Sequence, residues 1–477
     1  MLLYQRTADS LRESLGPDGN RGPGARLPGV RRLAHQYGVS NATMVRALQL
    51  LEDQGWIEAR PRSGFFVRAR SEQPALPAST PPPDPQAVTS QAIAMELIRA
   101  SARGDLLQLG TAVPDGRFFP LTTVRRALAR ALRDGGDRAL GYAFPPGLPA
   151  LREVLAARLA DGGCHASPDA LLVTAGAQEA IQLALRSLTE PGDVVAVESP
   201  TYYGLLQAIE SLGLKALEIP TDPQRGISVE ALERALARWP LKALVLVPNA
   251  SNPTGYQMAP ADRAALVATC DAHGLPIIED DVYADLTVEP GSNLRPRALK
   301  AHDTQDRHFL CGSASKTVAP GLRLGWLLAP RAQRERLEYL KYAGSLSASA
   351  PAQYALAELY GQLGIQRHLR RLRDDYAQRT ARAAELVERA FPDGTRAARP
   401  AGGFVLWIAM PADIDAIALH RAALGEGIVI APGPIFSAAG RYEHCLRLNV
   451  AVPDDADFER AVIRLGRLAA QLGTGRL

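Results

Sequence analysis

Cysteine is scarce in this 477-residue chain, and the four present (Cys164, Cys270, Cys311, Cys445) stand far apart with no CxxC pair. That spacing excludes a disulfide framework and offers no zinc-ligand pattern, so no metal site is expected. No run approaches about 18 uninterrupted apolar residues, so no membrane span is expected. The first residues (Met1-Leu2-Leu3-Tyr4-Gln5-Arg6) show no apolar signal-peptide stretch, which points to a cytoplasmic protein. Lysine is the other rarity. Only Lys215, Lys242, Lys300, Lys316 and Lys341 occur, and arginine carries almost all other positive charge. A lysine used for amine chemistry therefore has few competitors.

Hydrophobic residues at 47% and charged residues at 22% are ordinary for a globular protein. The length is too great for one ordinary core and suits a small domain beside a large one. The net charge of +4 is unevenly spread: residues 1–70 hold 11 Arg against 6 Asp/Glu, while the remainder is at −1. A positive surplus confined to one end is the footprint of a segment that meets phosphates.

Residues 1–69 read as three helices and a hairpin. Tyr4–Leu15 has helical apolar spacing, and Val30–Tyr37 forms a second helix. Ser40 caps a third that runs from Asn41 to Gln54 with Met44, Val45, Leu48 and Leu51 facing the core, and Gly55 ends it. Strands at 56–60 and 64–68 flank the turn Pro61-Arg62-Ser63-Gly64. Residues 70–89 form a linker: six prolines fall between 71 and 89, giving a semi-rigid spacer with a reach of about 60 Å. From residue 90 to 477, short continuous apolar runs alternate with helical patterns. The runs Leu171–Thr174, Val194–Val197, Ala243–Val247, Pro276–Glu279 and His308–Cys311 suit a mostly parallel sheet covered on both faces.

The segment Arg26-Leu27-Pro28-Gly29-Val30-Arg31-Arg32-Leu33-Ala34, followed by Tyr37-Gly38-Val39-Ser40-Asn41-Ala42-Thr43-Met44-Val45-Arg46, resembles the GntR-type winged helix-turn-helix across residues 1–69. Gly38 permits the tight turn, and the polar face of the third helix (Ser40, Asn41, Thr43, Arg46) suits a major groove. Arg31 and the wing residues Arg60, Arg62 and Ser63 suit phosphate or minor-groove contact. The resemblance implies binding to a double-stranded DNA operator. Gly29 replaces a usual serine, and Asn41-Ala42 replaces a usual arginine-containing pair, so no sequence preference carries over.

Lys316 lies in Gly312-Ser313-Ala314-Ser315-Lys316-Thr317-Val318-Ala319-Pro320-Gly321-Leu322-Arg323, directly after a buried strand pattern. Small neighbours let a flat ring approach an amine, and none of the other four lysines has such surroundings. This run resembles the lysine motif of fold-type-I enzymes that use pyridoxal 5'-phosphate (PLP), a likeness that covers most of residues 90–477. It implies a small winged helix-turn-helix (α+β) joined to an α/β transferase-like domain, with a smaller C-terminal α+β subdomain at about 345–477. Lys316 is the expected Schiff-base residue. Ser313, Arg323 and nearby Ser315 bind the cofactor phosphate, with the turn Gly176-Ala177-Gln178 cupping it at a helix N-terminus.

Further stretches match the family in order. In Pro200-Thr201-Tyr202-Tyr203-Gly204, Tyr202 is the ring expected over the pyridine, with Tyr203 in reserve. Asn252, in Asn252-Pro253-Thr254-Gly255, is expected on the ring's 3'-oxygen together with Tyr283. Asp280, three residues before Tyr283, faces the pyridine nitrogen, where a carboxylate supports the electron sink; Asp281 is expected to cap or to face solvent. Tyr142 resembles the tyrosine that reaches the phosphate of the partner subunit in a homodimer. Arg447, in Leu446-Arg447-Leu448-Asn449, resembles the clamp on a substrate carboxylate, a task for a planar guanidinium.

The combination of head, linker and body is similar to the MocR-type regulators. It implies a regulator that senses PLP or an amine through an aldimine at Lys316. The alternative is a working amino-acid aminotransferase that carries a DNA-binding head.

Overall fold

The computed structural model describes residues 3–15, 24–53, 56–60, 64–67, 76, 78–82, 84–88, 91–289, 292, 294–362, 364–453 and 455–475. Its contacts divide the chain into two units, Met1–Pro74 and Ala75–Leu477.

In the first unit, α1 (Leu3–Glu13), α2 (Val30–Gln36) and α3 (Asn41–Asp53) precede an antiparallel hairpin of β1 (Ile57–Arg60) and β2 (Gly64–Val67). Leu11, Leu33, Met44, Leu48, Leu51, Ile57 and Val67 form its core. Gly38 takes a φ of +65° between α2 and α3, a left-handed turn that glycine enters freely. The backbone N–H of Thr43 donates to Ser40 Oγ at 3.1 Å, so Ser40 is the N-cap of α3. Val45 departs from the helical reading. It is 40% exposed, because one helical step past Met44 turns it out of the seam that Met44, Leu48 and Leu51 share.

The second unit begins with α4 (Gln91–Ser101). Its strands are β3 (Leu107–Gln108), β4 (Leu171–Thr174), β5 (Val194–Ser199), β6 (Lys215–Asp222), β7 (Gly226–Ile227), β8 (Leu241–Leu246), β9 (Ile277–Asp280), β10 (Phe309–Ser313), β11 (Gly325–Leu328), β12 (Arg396–Ala397), β13 (Val405–Ala409), β14 (Ile428–Val429), β15 (Ala431–Pro432) and β16 (Cys445–Asn449). The main sheet has the order β4-β11-β10-β9-β8-β5-β6-β7. Its inner pairs are parallel, whereas β11 runs antiparallel to both neighbours. Alternation along β5 divides two helical layers: Val195 and Val197 pack with the helix Ala177–Leu188, and Val194 and Ala196 pack with the helix Pro260–Ala272. A second, antiparallel sheet, β12-β13-β16-β15, shares a core with the helices Gly364–Ala390 and Asp455–Gly473.

The proline-rich stretch is not a free spacer throughout. Ser79 and Gln86 both hydrogen-bond to β6, and Val88 is buried in a core of the second unit. Proline lacks only its own N–H; the residues between the prolines keep theirs and pair with the sheet edge.

Candidate active site

Several chain segments meet at the C-terminal ends of β4, β5, β8, β9 and β10, where a parallel α/β sheet places its ligands. They enclose a cavity of about 700 Å³ lined by, among others, Ala177, Gln178, Tyr202, Asn252, Asp280, Tyr283, Ser313, Ser315, Lys316 and Arg323.

The anion-binding end is built on backbone. β4 leads through Gly176, at a φ of +105°, into the helix that starts at Ala177, so unbonded N–H groups face the cavity. Gly325 lets two strands close on this turn, for a methyl there would lie 2.5 Å from the Gly176 carbonyl carbon. Arg323, in a left-handed conformation (φ 49°), donates from Nη2 to Ala175 O at 2.7 Å. Ser313 Oγ sits 2.8 Å from Ser315 Oγ and donates to Leu324 O. Gln178 Nε2 donates to Gly204 O at 2.6 Å, which ties the cup to the segment carrying Tyr202.

At the opposite end, β9 delivers Asp280 and β16 delivers Arg447. Burial pushes the Asp280 carboxyl up to about 7, against a hydrogen bond from the Val282 N–H and the attraction of Lys316. Burial, with repulsion from Arg447, pulls the Lys316 amine down to about 8. Lys316 Nζ donates to Ala112 O at 2.7 Å. Arg447 is fully buried: Nη1 donates to Asn252 Oδ1 at 2.8 Å, Nη2 donates to Gly110 O, and Nε has no partner among the described residues. Burial holds its pKa below the ordinary guanidinium value and raises those of Tyr202 and Tyr283.

Tyr202 and Tyr203 both line the cavity, their ring centres 5.1 Å apart. Asp281 corrects the expectation that it caps or faces solvent. It is buried, accepts from Asn249 Nδ2 at 3.0 Å and is paired with Arg295. Clamped behind the strand, it fixes the backbone on which Asp280 and Tyr283 stand. Tyr142 lies outside the cavity lining of its own chain; it is 68% exposed and stacks on Phe144. In the head, Arg31, Ser40, Asn41 and Arg46 are exposed and Thr43 is half-buried. Arg46 lies over the Tyr4 ring; Arg60 lies over Phe66 and pairs with Glu58 at 2.6 Å. Arg62 and Ser63 lie outside the described residues.

Sequence reading missed, among other lining residues, the loop residues Thr111, Ala112 and Val113, and Met95 and Ile98 of α4; the adjoining Gly110 carbonyl, which accepts from Arg447, was missed as well. A methyl at Gly110 would meet Leu97 at 2.6 Å, a constraint that only the fold reveals. Away from the cavity, Asp271, Asp303 and His308 gather their ligand atoms. His308 Nδ1 accepts the Ile277 N–H at 3.0 Å, which leaves Nε2 protonated toward Asp271 rather than free to ligate.

Residues 104–465 match the family described as aminotransferase class I and II, and residues 3–67 match bacterial regulatory proteins of the gntR family. The chain is 38% identical over 467 residues to the HTH-type transcriptional regulator YjiR of Escherichia coli (strain K12), covering 98% of each. It belongs to the MocR-type regulators. These join a gntR head to an aminotransferase body of fold type I. The body alone is 30% identical over 372 residues to a 2-aminoadipate transaminase of Thermus thermophilus, covering 78% of this chain and 92% of that one. Among solved structures, kynurenine aminotransferase of Pyrococcus horikoshii, in complex with PMP, superposes with a TM-score of 0.74 at 27% identity, over 80% of this chain and 96% of that one. LysN of Thermus thermophilus, complexed with N-(5'-phosphopyridoxyl)-L-leucine, gives 0.72 at 30% identity, over 79% and 95%. The MocR cofactor is PLP, and the donor set here fits it: an anion cup, a buried carboxyl, a buried amine and stacking rings around one cavity.

Proposed function

We propose that this MocR-type protein is a cytoplasmic, homodimeric transcription regulator that binds operator DNA through residues 1–69 and senses an amino compound at PLP. The observation that carries the reading is the joining, in one chain, of a capped recognition helix and a cavity lined by Lys316 and Asp280, with Arg447 buried against the lining residue Asn252. Bound PLP supplies an aldehyde for a primary amine and, with its ring nitrogen protonated, an electron sink. The chain's own residues do the rest.

The Gly176–Gln178 turn, Ser313, Ser315 and Arg323 hold the phosphate, and Tyr142 of the partner subunit reaches it. Asp280 keeps the nitrogen protonated; Asn252 and Tyr283 orient the 3'-oxygen, and Tyr202 covers the ring. Lys316 Nζ, with its lowered pKa, holds or gives up a proton near neutral pH. Arg447 takes the ligand carboxylate between two guanidinium nitrogens. For regulation, the ligand must bind two arrangements of the protein with different free energies. In the head, Arg31, Arg46, Arg60, Arg62 and Ser63 serve the phosphates and groove edges, with Asn41 and Thr43 toward the bases.

The assembled Lys316, Asp280, Tyr283 and Arg447 equally support amino-acid transamination. An absorbance titration of the purified protein with each amino acid, paired with operator binding, tests both readings. Sensing predicts a spectral change without conversion to pyridoxamine phosphate and a shift in DNA affinity. Turnover to pyridoxamine phosphate favours the enzyme. A protein with no PLP absorbance refutes both.

A further inference from the structure

Residues 76–88 lie across the second unit as an extended strap. Its far end feeds α4, whose Met95 and Ile98 line the amine cavity; its near end leads to the head. The strap is held at four points. Ser79 exchanges hydrogen bonds with Thr221 (Ser79 N to Thr221 O at 3.1 Å; Thr221 N to Ser79 Oγ at 2.7 Å). Gln86 and Ala216 pair in antiparallel fashion at 2.8 and 3.0 Å. Arg441 donates to Thr80, and Arg238 pairs with Asp84 at 2.7 Å.

The strap's footing is also the footing of the site. Tyr442 hydrogen-bonds Ser199 and lines one cavity with Ser79. Ser199 N donates to Thr221 Oγ1 at 3.1 Å, and Ser199 lies three residues before Tyr202. Tyr442 packs edge-on against Trp407, which stands opposite Arg447 across the β13–β16 ladder. Beneath the strap is a cavity of about 200 Å³ lined by Leu76, Ser79, Thr80, Thr254, Trp407 and Tyr442. Thr254, in the same loop as Asn252, has a buried hydroxyl without a partner among the described residues. Tightly packed elements do not shift by small increments; these side chains have space to move.

We propose that residues 76–88 have two positions, docked on β6 and Tyr442 or released, and that an amino acid held at the cofactor shifts the balance, resetting the length of free chain that carries the head. This rests on the sensing reading above. Docked, nine Cα steps separate Val67 from Leu76, a contour of about 30 Å; released as far as Val88, 21 steps give about 70 Å. For two tethered heads, local concentration falls roughly as the −3/2 power of tether length. Release alone therefore changes two-site DNA binding about three- to fourfold.

Hydrogen exchange on the full chain tests this in three states: stripped of cofactor, with PLP, and with N-(5'-phosphopyridoxyl)-L-leucine. Exchange of the Ser79 and Gln86 amides is expected to differ threefold or more between PLP and the conjugate. Linkage fixes the companion result for the Ser79→Ala, Arg441→Ala double variant, both residues lying outside the cofactor cavity. Its conjugate affinity relative to PLP weakens if the conjugate slows strap exchange and strengthens if it hastens it. Ligand protection at 174–178 and 313–323 with an unchanged strap overturns this proposal and leaves the sensing reading intact. A changed strap with no shift in conjugate affinity, or a shift of the wrong sign, also overturns it. No protection in the cavity from either ligand refutes both.

Discussion

Replacing Arg447 with lysine keeps a cation in place and removes the planar fork. The wild-type guanidinium is fully buried, with its centre 5.1 Å from the Phe436 ring and 6.0 Å from Tyr203. It is held by Asn252 and Gly110, and its Nε is unpartnered among the described residues. Burial lowers its pKa, so an incoming carboxylate relieves an unfavourable buried charge. A charge-assisted hydrogen bond is worth about 1.5–3 kcal/mol. Losing one of two parallel bonds therefore weakens amino-acid binding by roughly 10- to 150-fold, at about 1.4 kcal/mol per factor of ten. The assay is an absorbance titration of PLP-loaded wild type and Arg447→Lys with L-leucine and with its decarboxylated counterpart, isoamylamine. Leucine affinity falls in the variant; isoamylamine affinity and PLP content hold. Equal losses for the two ligands, or none for leucine, refute the carboxylate clamp.

Other consequences are independent of that one. Gly176→Ala places a methyl 2.7 Å from the Arg323 guanidinium at a φ of +105°, so PLP affinity, read by equilibrium dialysis, falls at least tenfold. Glu198 is buried, and burial pushes its carboxyl up to about 8. A raised acid pKa stabilises the fold fully below the unfolded value and ceases to do so as pH rises through the folded one. Urea unfolding should therefore show Glu198→Gln gaining on wild type between about pH 5 and pH 8; a constant difference refutes this. Ser40→Ala removes the α3 cap and lowers head stability by about 1 kcal/mol in thermal unfolding. Arg31→Ala reduces the slope of log DNA affinity against log salt by about one.

Much of the site was legible because its residues carry local chemistry. Lys316 stood out through the rarity of lysine and its run of small neighbours. Asp280 and Tyr283 were legible through their likeness to the family's pair spaced three apart, and Gly176 through the likeness of its strand-to-helix turn to the family's phosphate cup. What stayed hidden depends on distant parts of the chain. The Ala112 carbonyl that holds Lys316 lies 204 residues away, and nothing local marks it. Val45 was misplaced because the buried stripe of α3 runs through Met44, Ala47, Leu48 and Leu51 and leaves position 45 just outside it. Asp281 looked like a surface cap, since Arg295, its buried partner, comes from another loop. The strap read as spacer because proline content conceals the donors between prolines. β11, antiparallel within a mostly parallel sheet, has the same apolar content as its neighbours, and direction is not written in composition.

The central claim is that one buried amine forms the covalent bond to PLP. Borohydride reduction of the purified full-length protein, then proteolysis and mass mapping of the phosphopyridoxyl group, tests it most directly. The expected result is one label, on Lys316, in near-stoichiometric yield. A label on Lys215, Lys242, Lys300 or Lys341, or no label in protein that has been supplied with PLP, contradicts the account of the second unit.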